Sequence, residues 1–146
     1  MNRYDYRKLE AEAAEALRAL EGQLLTSFLV QIVEPEFNVA ILVTPGGTWE
    51  ICGQLGGELL GVRRVDSPRN EGGENGSLVC RHPPYSQFEG RRITQTRTLG
   101  RAWNGHGFEL TFEGSPFHTM LIHANDQHDC LTLAVGPGSS KSDDMG

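Results

Sequence analysis

The sequence contains no apolar run of about 18 residues, so no segment is predicted to cross a bilayer as a helix. It also lacks a basic N-terminal region followed by an apolar stretch, so we expect no secretory signal. The three cysteines, Cys52, Cys80 and Cys130, form no CxxC pair. These absences together predict a cytoplasmic protein with reduced thiols and no membrane association.

The motifs of several enzyme classes are absent as well. The sequence has neither GxGxxG nor GxxxxGK[ST], and it has no GxSxG nucleophile elbow. Its 146 residues suit one domain, which at this size needs no disulfide or metal to fold. We therefore predict a single domain without a cofactor and favour a non-enzymatic function.

Basic residues are missing from two long stretches. Residues 19–62 and 102–138 contain no Lys or Arg, whereas residues 63–101 contain eight arginines. Such an arginine cluster either binds phosphates or forms ion pairs with the acidic flanks. The sequence pI of about 5.3 favours ion pairing, so we expect no general nucleic-acid binding.

Hydrophobic periodicity predicts the fold class. Residues 5–20 form an apolar stripe at helical spacing, carried by Leu9, Ala13, Ala16, Leu17 and Leu20. After Gly22 the period changes to two, for example where Phe108, Leu110 and Phe112 alternate with polar residues. We predict a mainly-β fold, a β-sandwich or small barrel, with one N-terminal α-helix.

Turn signals divide this single domain, residues 1–146, into five parts. The parts are an N-terminal helix at 1–21, a first β repeat at 22–65, a loop or linker at 66–87, a second β repeat at 88–135 and a disordered tail at 136–146.

The two β repeats resemble each other. Leu20-Glu21-Gly22 echoes Phe88-Glu89-Gly90, and the next turns and apolar positions align after a three-residue insertion placed in 100–107. This alignment matches Ile41 with Phe112 and Leu60 with Leu131. We predict two similar antiparallel meanders, related by a pseudo-twofold axis, that bury their apolar faces against each other.

The predicted insertion is also the predicted binding surface. It places Trp103 and His106 at or beside a hairpin tip, close to Arg97 and Arg101. A tryptophan at a loop tip commonly anchors a partner, although Trp103 folding back over the core is an equal alternative. We predict a binding protein of the accessory, inhibitor or immunity type, whose partner is a protein or a small ligand.

Two further possibilities concern the interior and the assembly of the predicted fold. A closed barrel could enclose a small ligand against Trp49, Phe108 and Phe112. Exposed sheet edges make a homodimer possible.

The histidines suggest an alternative function. Cys80-Arg81-His82 and His128-Asp129-Cys130 could present two thiolates and two imidazoles to Zn²⁺ from adjacent strands, although buried thiols and surface histidines are the commoner meaning. His118, His123 and His128, with Arg97 or Arg101, could instead belong to a metal-binding protein or a phosphodiester-cleaving enzyme.

Overall fold

A computed structural model describes most of the chain, namely residues 3–33, 36–54, 59–67, 69–74, 76–101, 104–114, 119–125 and 130–136. In chain order the elements are α1 (Arg3–Arg18), β1 (Leu24–Leu25), β2 (Ser27–Val33), β3 (Glu36–Thr44), β4 (Gly47–Gln54), β5 (Leu59–Val65), β6 (Gly72–Glu74), β7 (Ser77–Cys80), a 3₁₀ helix (Tyr85–Phe88), β8 (Arg91–Arg101), β9 (Asn104–Phe112), β10 (Thr119–Asn125) and β11 (Cys130–Gly136). The mainly-β fold with one N-terminal helix is confirmed. The predicted tail lies outside the described residues apart from Gly136, which ends β11.

Two antiparallel meanders build the domain. Strands β2 to β5 pair in chain order, and so do β8 to β11. The meanders join where Leu131 of β11 pairs with Phe37 of β3, so the eleven strands form one continuous hydrogen-bonded network. Because side chains alternate across a strand, each meander turns one apolar face toward the other.

The main core fills the space between the meanders. Its fully buried large side chains include Phe28, Leu42, Ile51, Leu60, Phe88, Phe108, Leu110, Phe112, Met120 and Ile122. Helix α1 packs against β5 and β8, and its Ala13 and Leu17 join this core together with Leu20 from the turn that follows. The helix therefore covers the space between the last strand of the first meander and the first strand of the second.

The segment predicted as a linker, 66–87, is instead largely structured. It contains the β6–β7 hairpin, and β7 pairs with β2 through Val30 and Cys80. The 3₁₀ helix that follows carries Tyr85 and Phe88 into the core. Pairing with a distant strand, rather than local composition, orders this part of the segment.

The two meanders have the same hairpin geometry at their first turn. In the first hairpin the last pair is Val33 with Glu36, and in the second it is Arg101 with Asn104. Both hairpins therefore close over two residues, and the insertion predicted within 100–107 is wrong. Because loop length fixes the register of a hairpin, the three additional residues of the second repeat lie between β9 and β10.

This register corrects one residue match of the predicted repeat. Ile41 belongs to a small apolar cluster on the outer face of its meander, together with Leu29, Val39 and Val79. Phe112 instead lies in the main core. The hairpin registers match Leu42 with Leu110, and both of these are fully buried in the core. The pseudo-twofold relation between the halves stays a prediction.

Candidate functional site

Of the four predicted contact residues, the structure describes the side chains of Arg97 and His106, and these two lie on opposite faces of the β8–β9 pair. Arg97 lies on the outer face of the β8–β9 pair, where its Nη2 is 2.9 Å from Oε1 of Glu109. His106 points to the opposite face and is only 1% exposed. The prediction that His106 offers a surface contact is therefore wrong, because β9 carries it into the core beside Phe108. Trp103 and the side chain of Arg101 lie outside the described residues.

His106 has a structural hydrogen bond between the two meanders. The backbone N–H of Leu60, in β5, donates to its Nδ1 at 2.9 Å. The ring also meets Phe108 edge-on, with centroids 5.3 Å apart. His106 therefore fixes the second meander against the first.

The predicted pocket residues are packed. Trp49, Phe108 and Phe112 are all at most 4% exposed and belong to the main core. Neither of the two described pockets is lined by these residues, so the enclosed ligand site stays a prediction.

The metal-site candidates are brought together only in part. Cys80 and His82 line the same groove. His118, His128 and the side chain of Cys130 lie outside the described residues, and His123 lies on β10. In the described part of the chain, no group of three or more His, Cys, Asp or Glu side chains suits a metal ion.

The arginines of the middle segment whose side chains the structure describes are engaged in ion pairs and hydrogen bonds. Those that reach the acidic flanks form the pairs Arg63–Glu50, Arg69–Glu50, Arg92–Glu113 and Arg97–Glu109. The predicted pairing between the arginine-rich middle and the flanks is thus confirmed for these residues.

Glu50 is the most buried carboxylate of this network. It lies on the outer face of the first meander, 4% exposed, and accepts bonds from Arg69 at 2.9 and 3.1 Å and from Arg63 at 3.1 Å. The hydrogen bond from Arg69 lowers the pKa of Glu50; burial opposes this shift, and the weaker contribution of the Arg63 hydrogen bond adds to it. The ion pair between Arg69 and Glu50 holds the segment after β5 against β4.

We expect Glu50→Gln to lower the free energy of unfolding at pH 7 by about 1–3 kcal/mol, because the charge-assisted hydrogen bonds are lost. The loss is limited because the guanidinium of Arg63 is largely solvated and needs no other partner. A carboxylate whose pKa is lowered by folding stabilises the fold above its unfolded pKa, and this stabilisation is lost as pH falls through the folded pKa. Urea unfolding from pH 7 to acid should therefore show a shallower pH dependence in the variant.

Glu113→Gln is the matched control for Glu50→Gln. Glu113 is 56% exposed at its side chain and its oxygen lies 3.7 Å from Arg92, so its loss should cost under about 0.5 kcal/mol. Equal effects of the two substitutions would contradict a structural role for the buried pair.

A groove of about 600 Å³ opens at the side of the first meander. Its lining comes from β2, β3, β7 and the turns beside β7: Ile32, Phe37, Gly76, Ser77, Leu78, Cys80 and His82. Leu78 is 43% exposed, which is unusual for a large apolar side chain in this protein. Local sequence does not predict this groove, since its one local signal is the apolar pair Leu78-Val79 in a polar, glycine-rich segment.

Aromatic rings form one wall of the groove. The rings of Phe37 and His82 meet edge-on with centroids 5.1 Å apart, and His82 stacks on Tyr85 at 6.0 Å. Tyr85 in turn donates its hydroxyl to the carbonyl of Leu133 in β11 at 2.9 Å. The wall is therefore fixed to both meanders, and the groove is preformed.

The charged side chains next to the groove are two carboxylates and one guanidinium, those of Glu71, Glu89 and Arg81. Arg81 Nε donates to Oε2 of Glu89 at 3.0 Å, so its charge is paired. Glu71 is exposed and has no ion-pair partner among the described residues. Burial and, second, the charge of Glu71 raise the pKa of the Cys80 thiol, which therefore stays neutral at neutral pH.

The described elements also bear on membrane association. Of the helices in the described ranges, none has the length and apolar character needed to cross a bilayer. In comparisons with protein-family models, curated proteins and solved structures, the chain has no match.

Proposed function

We propose that this is a small cytoplasmic binding protein, without catalytic activity, whose binding site is the groove between β2, β7 and the His82–Tyr85 turn. The observation that carries the proposal is the exposure of Leu78 at a preformed apolar groove. About 600 Å³ falls within the usual range of ligand sites, roughly 300–1,000 Å³. Among the described residues, Cys52 and Cys80 form no disulfide, which is consistent with a reducing compartment.

The lining has the composition expected of a recognition site. Apolar side chains, Ile32, Phe37 and Leu78, provide most of the contact, while Ser77 and His82 add polar atoms at its edge. Such sites bind through apolar burial and use a few polar groups for orientation. The Nδ1–H of His82 is engaged with the carbonyl of Pro83 at 2.6 Å, which fixes the ring as part of the wall.

A neutral, environment-sensitive dye such as Nile red tests this proposal. We expect the dye to bind the native protein and Leu78→Ser to weaken binding about 10-fold or more, because burying a leucine side chain contributes roughly 1.5–3 kcal/mol. Fluorescence titration at fixed protein concentration measures the dissociation constant.

Val33→Ser is the control for the dye experiment. Val33 is similarly exposed, at 45%, but strand alternation points it away from the face that carries Ile32. This variant should bind the dye as the native protein does. No dye binding, or equal binding by the two variants, would refute the groove as the binding site.

A further inference from the structure

Two glutamates make corresponding contacts in the two halves of the chain. Oε2 of Glu21 accepts the backbone N–H of Thr96 at 2.8 Å. Oε2 of Glu89 accepts the backbone N–H of Phe28, also at 2.8 Å. Glu89 follows Glu21 at the same sequence distance as Thr96 follows Phe28, so each glutamate reaches the equivalent strand of the other half.

The backbone hydrogen bonds beside these two glutamates also correspond between the halves. Gly22 donates its N–H to Ile93 O at 2.7 Å, and Gly90 donates its N–H to Leu25 O at 2.7 Å. Both glycines have a left-handed φ, +86° and +87°, which other residues rarely adopt. Together with the matching hairpin registers, these contacts relate the residues around Leu20 to those around Phe88.

The same equivalence matches the end of α1 with the 3₁₀ helix. Leu17 and Leu20 correspond to Tyr85 and Phe88, and all four pack in or against the main core. Helix α1 contacts β5 and β8, whereas the 3₁₀ helix contacts β2 and reaches β11 through Tyr85. Each segment thus packs between the last strand of one meander and the first strand of the other.

The halves differ in what precedes these positions. Before Leu17, α1 continues for three more turns and packs Ala13 on the core. Before Tyr85, the chain turns at Pro83 and Pro84 and becomes β7 instead. The groove opens beside Tyr85, where the second half has no counterpart of these helical turns.

We propose that the groove binds an amphipathic helix of a partner protein, with an apolar stripe like that of α1 and basic residues beside it. The proposal rests on the proposed function of the groove. Charge favours a basic helix because Glu71 is exposed just before β6, which pairs with the groove strand β7, because Arg81 is paired with Glu89, and because the chain has a net charge of -6. The apolar stripe would cover Leu78 and the Phe37 wall.

Peptides based on residues 3–21 of this chain test the helix proposal. One has the native sequence; in the second, Glu10→Lys, Glu12→Lys and Glu15→Lys make the polar face basic while the apolar stripe is kept. We expect the basic peptide to displace the dye from the native protein at a concentration at least about fivefold lower than the native peptide requires. It should also gain helical circular dichroism on binding.

Two protein variants locate the bound peptide. Leu78→Ser should weaken binding of the basic peptide about 10-fold or more, and Val33→Ser should not change it. Glu71→Gln should bring the two peptides to within about twofold of each other, because the charge that separates them is removed. A scrambled basic peptide without the stripe should not displace the dye.

The outcomes separate the helix proposal from the proposed function. If the dye binds the groove but no helical peptide displaces it, the helix proposal is overturned and a small-ligand site remains. If raising the protein concentration alone expels the dye and produces a dimer, a second copy covers the groove, which also overturns the partner helix. If neither the dye nor any of the peptides binds the protein, both proposals are refuted.

Discussion

Phe88→Ala is expected to lower the free energy of unfolding by about 3–5 kcal/mol, the largest effect of any substitution considered for this protein. Phe88 is 0% exposed, and its ring stacks on Phe112 with centroids 4.4 Å apart and an interplanar angle of 20°. Its removal leaves a cavity between the 3₁₀ helix and β9 that the surrounding strands cannot close. Urea unfolding followed by tryptophan fluorescence measures the change.

Phe88→Leu keeps this test informative if the alanine variant does not fold. The predicted repeat matches Phe88 with Leu20, which is also 0% exposed, so Phe88→Leu should cost about 1.5 kcal/mol or less. Gln87→Ala, at an exposed neighbouring position, should stay within about 0.5 kcal/mol. A cost under about 1 kcal/mol for Phe88→Ala would show that the 3₁₀ helix contributes little to the core.

Periodicity was sufficient to predict the main elements. The stripe from Leu9 to Leu20 predicted a helix at 5–20, and α1 occupies Arg3–Arg18. The alternation of Phe108, Leu110 and Phe112 predicted a half-buried strand, and all three side chains are buried. Both signals are local, since a helix or strand with one apolar face must bury it whatever lies opposite.

The β6–β7 hairpin and the groove could not be predicted in the same way. Strand β7 contains Leu78 and Cys80 but follows a polar, glycine-rich segment, and its order depends on hydrogen bonds to β2, far away in sequence. The groove lining combines β2, β3 and β7. Such pairing depends on the register of distant strands, which local composition does not encode.

The repeat shows how similar residues can suggest the wrong register. Matching Ile41 with Phe112 placed similar apolar residues together, but one lies on the outer face of its meander and the other in the core. A shift by an odd number of residues reverses the face of every side chain along a strand. The hairpin loop, closed by Arg101 and Asn104, determines the register, and residue similarity does not.

His106 illustrates the same error at a predicted site. Its Asn104-Gly105-His106-Gly107 context resembles an exposed turn, whereas all four residues belong to β9. Because the turn precedes Asn104, alternation carries His106 to the inner face with Phe108. Glycines on both sides of a polar residue therefore predict a loop, whereas His106 is a buried hydrogen-bond acceptor.

We expect His106→Ala to lower the free energy of unfolding by about 2–4 kcal/mol, because it leaves a cavity and a buried N–H of Leu60 without its acceptor. His106→Phe separates the two causes. It fills the space but removes the acceptor, so about 1–3 kcal/mol of the loss should remain. Urea unfolding of both variants gives these values, with His123→Ala, at a partly exposed histidine of β10, as the control that costs under about 1 kcal/mol.

Amide hydrogen exchange at Leu60 tests the hydrogen bond itself, even where a variant is only marginally stable. In His106→Phe the exchange of this amide should accelerate about 5-fold to 150-fold beyond the change at Ile51, a core residue of the neighbouring strand β4. The difference arises because opening the β5–β9 contact no longer breaks a bond to Nδ1. If Leu60 and Ile51 changed equally, His106 would act on the core through its volume alone, and the two meanders would not depend on this acceptor.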